Sequence, residues 1–246
     1  MAGHSKWANI QHRKGRQDAR KAKFFTKAAK DIILAAKSGG NPEDNSTLRL
    51  AIQKAKAVNL PKDKIDNAIK KGTGELAGGD IAEILYEGYG PGGVAMLVDV
   101  ATDNKNRTVA EIRHAFTKHG GNMAEAGAVS YMFNKKGVIV FNKENYTEDD
   151  LMEVGLEAGA EDIIDDDESF TVQTALSDFM TVQQAFTDAK MDFESAEVCQ
   201  IPENLVPVDV PVGKKVMNLF DTLEDNEDVQ KVYLNADFPD ELFDEE

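Results

Sequence analysis

The sequence is short of cysteine and of long apolar runs. Cys199 is the single cysteine among 246 residues, which excludes an internal disulfide framework and a four-thiolate metal site and indicates a reducing compartment. No apolar stretch approaches the ~20 residues of a membrane-spanning helix, and the first twenty residues are too polar for a secretory signal. We therefore expect a cytoplasmic protein with no membrane partner. A mitochondrial transit peptide is the alternative for the basic N-terminus, disfavoured because that segment continues into patterned helix.

Signatures of catalysis and of cofactor binding are also missing. The glycines of 88–93 match a dinucleotide fingerprint in spacing, but strand-like residues follow them, so a hairpin turn is favoured. The acidic run at 165–168 lacks calcium-loop spacing and is expected to be a solvated turn. His114 and His119 do not share a helix face, and Cys199 is expected in the core. We expect no catalytic residue, metal site or cofactor, and a hydrolase ranks last among the functions.

Charge is divided unevenly along the chain. Residues 1–75 hold 17 basic and 7 acidic side chains, a net charge of +10, whereas the remainder holds 11 basic and 37 acidic ones, a net charge of −26. This asymmetry indicates an end that is specialised electrostatically. The acidic remainder would repel a polyanion, so we expect contact with one to be confined to the N-terminal surface.

A basic stripe with helical periodicity lies near the N-terminus. Between Arg16 and Lys37, apolar residues recur on one face, and basic residues recur on the opposite face with few acids among them. A solvated lysine-rich face is the alternative, although such faces usually mix both signs. Trp7 could stack on a base or anchor the segment to the helical core. We predict that nucleic acid is contacted by Lys6, Trp7, His12, Arg13, Lys14, Arg16, Arg20, Lys23, Lys27 and Lys30.

Two shorter helices are expected after the basic one. Asn45 or Ser46 is a suitable cap for the first of them, and Pro61 for the start of the next. Their spacing approximates a helix-turn-helix, a pattern that also occurs in bundles that bind nothing. Lys62 and Lys64 are therefore secondary candidates for contact with nucleic acid.

Strand and helix patterns alternate in the rest of the chain. The order strand-helix-strand-strand-helix-strand over residues 135–203 predicts an inserted ferredoxin-like domain. Residues 81–134 and the helix–strand pair of 206–236 lack partners on their own, and together they predict a discontinuous α/β domain. The predicted fold class is α+β multidomain: a basic helical domain at 1–75, two ferredoxin-like α/β sandwiches, and an acidic tail at 237–246.

The first part of the discontinuous domain has a more detailed pattern. Strands are expected at 81–87 and 94–100, and a further strand at 128–133. Thr108 and Glu111 have the spacing of a capping box, which predicts that a helix begins there.

Four stretches resemble the signature segments of the YebC/PmpR family, which includes the mitochondrial translational activator of cytochrome oxidase. They read MAGHSKWANIQHRK, YEGYGPGG, TDNKNRTVAEIRHAF and LEAGAED, and the similarity runs over residues 1–236. The resemblance implies three domains, the second discontinuous, and a cytoplasmic nucleic-acid-associated regulator. Members are named probable transcriptional regulators, and others are implicated in translation through proline-rich stretches. The resemblance implies no set of catalytic residues. It indicates Asn104, Asn106 and Arg107 as further candidates, with the alternative that the two asparagines do no more than shape the turn into a helix.

The sequence and the resemblance leave two main candidate functions and a third that is less favoured. The first is a transcriptional regulator that grips duplex DNA with the basic helix. The second is a ribosome-associated translation factor that places the same end in ribosomal RNA and relieves stalling on proline-rich stretches; Trp7 suits RNA better than a duplex. The acidic remainder and the lack of a clear base-reading helix make sequence-specific DNA recognition less favoured. An adaptor that binds no nucleic acid is the third.

Overall fold

A computed structural model describes residues 21–166 and 169–243 of the chain. These residues form two compact units, one built from 131–207 and the other from 21–130 with 208–243. No helix in these described ranges is long and apolar enough to cross a membrane. The helices are α1 Lys21–Ala36, α2 Ser46–Ala57, α3 Lys62–Gly72, α4 Lys105–Lys118, α5 Glu148–Ala158, α6 Phe179–Asp188 and α7 Val210–Glu224. The strands are β1 Ala82–Tyr89, β2 Ala95–Thr102, β3 Asn122–Met123, β4 Phe133–Asn142, β5 Ala160–Asp165, β6 Ser169–Thr174, β7 Ser195–Pro202, β8 Val206–Pro207, β9 Val229–Leu234 and β10 Ala236–Asp237.

The first three helices pack around a small apolar core. The side chain of Asn45 caps α2 by accepting a hydrogen bond from the Leu48 amide at 3.0 Å. Helices α1 and α3 approach closely at Gly72, where a Cβ would lie 2.5 Å from the Ile33 carbonyl oxygen. The buried cluster of this region continues into Ala101 of β2. The helical region is therefore part of the same unit as the first sheet.

The first sheet has the strand order β3-β1-β2-β9, with every neighbouring pair antiparallel. Strand β9 follows residues 131–207 in the sequence, and it pairs with β2, which precedes them. Phe116 of α4 and Leu219 of α7 are fully buried on the helical side of this unit. The helix–strand pair of α7 and β9 thus completes a layer that begins more than a hundred residues earlier.

The 131–207 unit holds the second sheet, of order β5-β6-β4-β7, again antiparallel throughout. Its elements follow one another as strand-helix-strand-strand-helix-strand, with Phe141, Phe179 and Phe186 fully buried. A mixed α/β fold with an N-terminal helical region and antiparallel sheets is confirmed. The ferredoxin-like assignment of both sheets and the division into three domains stay predictions.

The glycine-rich segment between β1 and β2 is a hairpin connection, as expected. The Gly90 amide donates to the Val94 carbonyl at 2.8 Å, which closes the turn. Gly92 and Gly93 have φ angles of 73° and 77°, a left-handed conformation that favours glycine. At Gly88 a Cβ would lie 2.8 Å from the Asn122 carbonyl oxygen, so this glycine lets β3 pair closely with β1.

Two local expectations were wrong. Helix α4 begins at Lys105, one turn before the expected capping box, because Asn104 caps it by accepting a hydrogen bond from the Arg107 amide at 3.1 Å. The strand expected at 128–133 is instead a bend followed by a short 3-10 turn at Ser130–Met132, and Phe133 is the first residue of β4.

The buried carboxylate of Glu87 explains why residues near 128 do not form a strand. It accepts hydrogen bonds from the amides of Gly127 at 2.7 Å, Val129 at 2.7 Å and Ser130 at 2.8 Å. Burial on its own raises the pKa of Glu87, but these amide hydrogen bonds outweigh burial and lower the pKa below its ordinary value. The loop amides point at a charged acceptor instead of at a neighbouring strand.

Candidate nucleic-acid interface

Three of the ten residues predicted to contact nucleic acid lie in the described chain. Lys23, Lys27 and Lys30 lie on α1 at spacings of four and three residues, which places them on one face of the helix. The other seven lie outside the described residues: Lys6, Trp7, His12, Arg13, Lys14, Arg16 and Arg20.

The three lysines of α1 are bound to the C-terminal end of α7 and the turn that follows it. Each ammonium group donates to one carboxylate and to one backbone carbonyl. The acceptors are Asp225 Oδ1 (3.1 Å) and O (3.0 Å) for Lys23, Glu224 Oε2 (3.1 Å) and O (3.0 Å) for Lys27, and Asp228 Oδ1 (2.6 Å) and Glu227 O (2.9 Å) for Lys30. We call these three lysines with their acceptors the lysine clasp.

The clasp has a simple electrostatic cause. The last carbonyls of a helix have no partner within it, and they carry the negative end of the helix dipole. Cations from α1 satisfy these carbonyls and the acidic side chains beside them. The Lys27 and Lys30 side chains are only 13% and 14% exposed, whereas that of Lys23 is 37% exposed. A freely exposed cationic stripe, which the sequence predicted here, is therefore not what these three residues form.

Asp228 is the centre of the clasp. Its Oδ1 accepts from Lys30, and its Oδ2 accepts from Arg107 Nη2 at 2.6 Å and from the Thr108 hydroxyl at 2.7 Å. Burial on its own raises the pKa of Asp228, but the hydrogen bonds from these three residues and the charge of Lys30 hold it well below its ordinary value. One carboxylate thus joins α1, α4 and the turn before β9.

All five secondary candidates are exposed, and two of them are bound within the described chain. Arg107 is committed to Asp228, whose hydrogen bond and charge raise the pKa of its guanidinium, and Asn104 is the cap of α4. Asn106 is exposed. Lys62 and Lys64 are exposed at the start of α3 and make no ion pair with any described residue. Sequence reasoning missed Asp228 and Glu224. For Asp228 the one local signal is the group of Thr102, Arg107 and Thr108, which supplies three of its donors, and these residues give no signal for Glu224.

Exposed cations are found elsewhere in the helical region. Several basic side chains of α2 and α3 lie at the surface, and none of them forms an ion pair within the described residues: Arg49, Lys56, Lys62, Lys64 and Lys70. Unlike the clasp, these cations are available to an external anion. They are the part of the described helical region that matches the predicted function.

A shallow groove of about 270 Å³ lies between α4 and α7 and has mainly apolar walls. His114 and Lys118 line it from α4, and Thr222 and Asp225 line it from the α7 side. Beside it, His119 Nε2 is 2.9 Å from the Thr222 hydroxyl, and burial, with the charge of Lys118, lowers the pKa of that imidazole. Among the described residues no cluster of three or more His, Cys, Asp or Glu side chains could hold a metal ion.

Comparison with known proteins covers nearly the whole chain. Residues 5–75 match the profile described as the TACO1/YebC protein N-terminal domain, and residues 81–236 match the TACO1/YebC second and third domain. A relative from Maridesulfovibrio salexigens is 69% identical over 98% of both chains, and one from Solidesulfovibrio magneticus is 61% identical over 99% of this chain and 100% of the relative. Both are named probable transcriptional regulatory proteins.

A solved structure is also similar. The crystal structure of a conserved hypothetical protein, Aq1575 from Aquifex aeolicus, superposes with a TM-score of 0.84 at 41% identity. The match covers 91% of this chain and 93% of that one. The similarity therefore extends over both units and the helical region.

Proposed function

Because the chain belongs to the TACO1/YebC family, we propose that it is a regulator of gene expression that binds nucleic acid with its N-terminal helical region. Relatives named probable transcriptional regulatory proteins support a regulator, rather than an enzyme, at the level of the family. The observation that carries nucleic-acid binding is the set of exposed, unpaired cations on α2 and α3 of the described chain, in a segment whose net charge is +10. Cations of this kind bind phosphates and release the counterions around them.

We assign phosphate contact to two groups of residues. The first is the cationic segment from Lys6 to Arg20, with Trp7 available to stack on a base. The second is the exposed start of α3, at Lys62 and Lys64. In this assignment the lysine clasp fixes the orientation of α1, while the acidic remainder keeps binding at one end of the protein.

Transcriptional regulation through DNA is the version that the family names favour. Ribosomal RNA is the second candidate, with relief of stalling on proline-rich stretches as the associated role, and Trp7 within a cationic segment favours it. Co-sedimentation with ribosomes at low salt separates the two. A chain that stays out of the ribosomal fractions would leave DNA as the partner.

We also propose that the protein acts in the cytoplasm and that the 131–207 unit is a ferredoxin-like sandwich. Its strand order, β5-β6-β4-β7 with antiparallel neighbours, supports that assignment. The first sheet matches a ferredoxin-like sandwich less closely, because two strands, β1 and β2, precede the first helix of that part of the chain, α4.

The function is tested by binding of the full chain to labelled duplex DNA and to a ribosomal RNA fragment over a range of salt concentrations. About five phosphate contacts would give a log–log salt slope near −4 to −5. The double variant Lys62→Ala/Lys64→Ala should make the slope shallower by about 1.4–1.8, because each contact contributes roughly 0.7–0.9.

A control for that experiment is Lys135→Ala/Lys215→Ala, which removes two exposed lysines outside the helical region that form no ion pair in the described chain. Equal slopes for the two double variants would remove α3 from the interface. A wild-type chain that binds neither probe would overturn the proposed function itself.

A further inference from the structure

Helix α4 has an unexpected charge for its position. The chain beyond residue 75 has a net charge of −26, yet Lys105–Lys118 contains four basic residues and one acid. That acid, Glu111, accepts a hydrogen bond from Asn226 Nδ2 at 2.7 Å on the side of the helix that faces α7. The other exposed side chains of α4 are basic, polar or small, and of the two cations at its C-terminal half, Lys118 lines the same groove as Glu111 and Asp225 whereas Arg113 does not line it.

The outer face of α4 is formed by residues that recur at helical spacing. Asn106, Ala110, Arg113 and Thr117 stand at i, i+4, i+7 and i+11, and all of them are exposed. Arg113 and the flanking Lys118 form no ion pair with any described residue. The small side chain of Ala110 at the centre would let a backbone approach this face closely.

The helix is held firmly from behind. Ile112 and Phe116 are buried against the first sheet, and the Asn104 cap fixes the first turn. Arg107 and Thr108 are bound to Asp228. Side chains on an element fixed in this way can be presented in one geometry, which favours binding because less conformational freedom is lost.

The outer face adjoins the start of the basic helix. Asp225 lines the groove beside α4 together with His114 and Lys118, and the same carboxylate binds Lys23 near the beginning of α1. Helix α1 therefore begins next to this part of α4. A polyanion that contacts the surface at the start of α1 would have the cations of α4 within reach.

We propose that the outer face of α4 is a second contact with the sugar–phosphate backbone of the nucleic acid bound at the N-terminal region. Arg113 and Lys118 bind phosphates, and Asn106 donates hydrogen bonds to phosphate or sugar oxygens. The Thr117 hydroxyl already donates to the Arg113 carbonyl at 2.9 Å and is not assigned a contact. This inference rests on the proposed function. Charge favours nucleic acid over a protein partner, because the face carries cations without the large apolar or aromatic anchors that protein interfaces use.

The first test is the double variant Arg113→Gln/Lys118→Gln in the full chain, with Lys135→Gln/Lys215→Gln as the control of equal charge. Both are titrated with the RNA fragment and the duplex DNA between 50 and 200 mM salt. The α4 variant should bind more weakly and have a salt slope shallower by about 1.4–1.8, while the control keeps its affinity and slope within a small change from net charge.

A second variant tests the face without removing its cations. Ala110→Glu places a carboxylate at its centre and should repel phosphates, so affinity should fall several-fold at low salt and recover in part at high salt. Thr181→Glu adds the same charge at an exposed position of α6 and should leave affinity nearly unchanged. Circular dichroism verifies that all variants are folded.

The outcomes distinguish the two proposals. If both α4 variants bind as their controls do, while Lys62→Ala/Lys64→Ala still weakens binding, the inference about α4 is overturned and the proposed function stands. If the wild type binds neither probe, both are overturned. If the α4 variants lose an acidic protein partner but keep nucleic-acid affinity, the face is a protein interface and the inference is wrong.

Discussion

Helices α1 and α4 both carry basic residues at helical spacing, but their cations have opposite environments. Lys27 and Lys30 on α1 are largely buried against the end of α7, whereas Arg113 and Lys118 on α4 are exposed and form no ion pair in the described chain. In sequence the two patterns differ little. A cationic stripe in a sequence therefore identifies one face of a helix, but it does not show whether that face contacts acidic groups of the protein or solvent.

The energetic consequence separates the two helices as binding surfaces. A phosphate that reached Lys30 would have to displace Asp228, whose side chain is 6% exposed. That carboxylate would lose a cationic partner while buried, at a cost of several kcal/mol. A phosphate that reached Arg113 displaces only water and counterions. We therefore expect the clasp to govern stability and the exposed cations to govern binding.

The largest effect on stability should follow from Asp228→Ala. The substitution leaves Lys30 largely buried without its carboxylate and also removes the acceptor of Arg107 and Thr108. We expect the free energy of unfolding to fall by about 3–5 kcal/mol in urea denaturation. Asp103→Ala is the matched control, because this exposed carboxylate also binds Arg107, at 3.3 Å, and should contribute less than about 1 kcal/mol. Equal losses for the two variants would show that Asp228 is not a structural centre.

A smaller effect is expected from Lys30→Met, which keeps most of the side-chain volume but removes the ammonium group. Asp228 then retains Arg107 and Thr108 as donors, so we expect a loss of about 2 kcal/mol. Lys64→Met, on the exposed surface of α3, should change stability by no more than about 0.5 kcal/mol. In nucleic-acid binding the order should reverse, with Lys64→Met the more damaging. A folded Lys30→Met variant that loses more affinity than Lys64→Met would assign phosphate binding to the clasp.

Acid should remove the contribution of Asp228. Its pKa is lowered in the folded state relative to an unfolded value near 3.9, so its stabilisation is present above that value and is lost as the pH falls through the folded pKa. The stability difference between wild type and Asp228→Asn should therefore shrink between pH 5 and pH 2, by at least about 1.4 kcal/mol. Glu87, whose pKa is also lowered, is present in the wild type and in the variant, so its effect on stability cancels in the difference. A difference that does not change with pH would mean that the charge of Asp228 is not what stabilises the clasp.

The parts of the fold that could be predicted are those set by local periodicity. Apolar residues at helical spacing indicated the helix that contains Ile32 and Ile33, and alternating patterns indicated the strands of both sheets. The start of α4 was missed because Asn104 and Thr108 are both suitable caps. Thr108 instead lies within the helix, where its hydroxyl donates a hydrogen bond to Asp228. The local sequence does not reveal that contact.

Long-range pairing also limits what the sequence reveals about the site. Lys30 and Asp228 are 198 residues apart, so no local pattern connects them. The same holds for Glu87, whose carboxylate holds a loop some forty residues later and prevents the expected strand. Charge, composition and helical spacing located the cations, but only the tertiary structure separates those that are neutralised within the protein from those that face solvent.

The smallest effect should come from the outermost pair of the clasp, Lys23 and Asp225. Their side chains are 37% and 58% exposed, so solvent screens their attraction, and we expect a coupling energy of about 0.2–1 kcal/mol. A double-mutant cycle of Lys23→Ala and Asp225→Ala at low ionic strength measures it. In 1 M salt, where the screening length is about 3 Å, the coupling should nearly vanish, whereas the loss caused by Lys30→Met should persist. If the coupling of Lys23 with Asp225 survives high salt, this end of the clasp is as protected as the Asp228 end, and Lys23 is no more available to nucleic acid than Lys30 is.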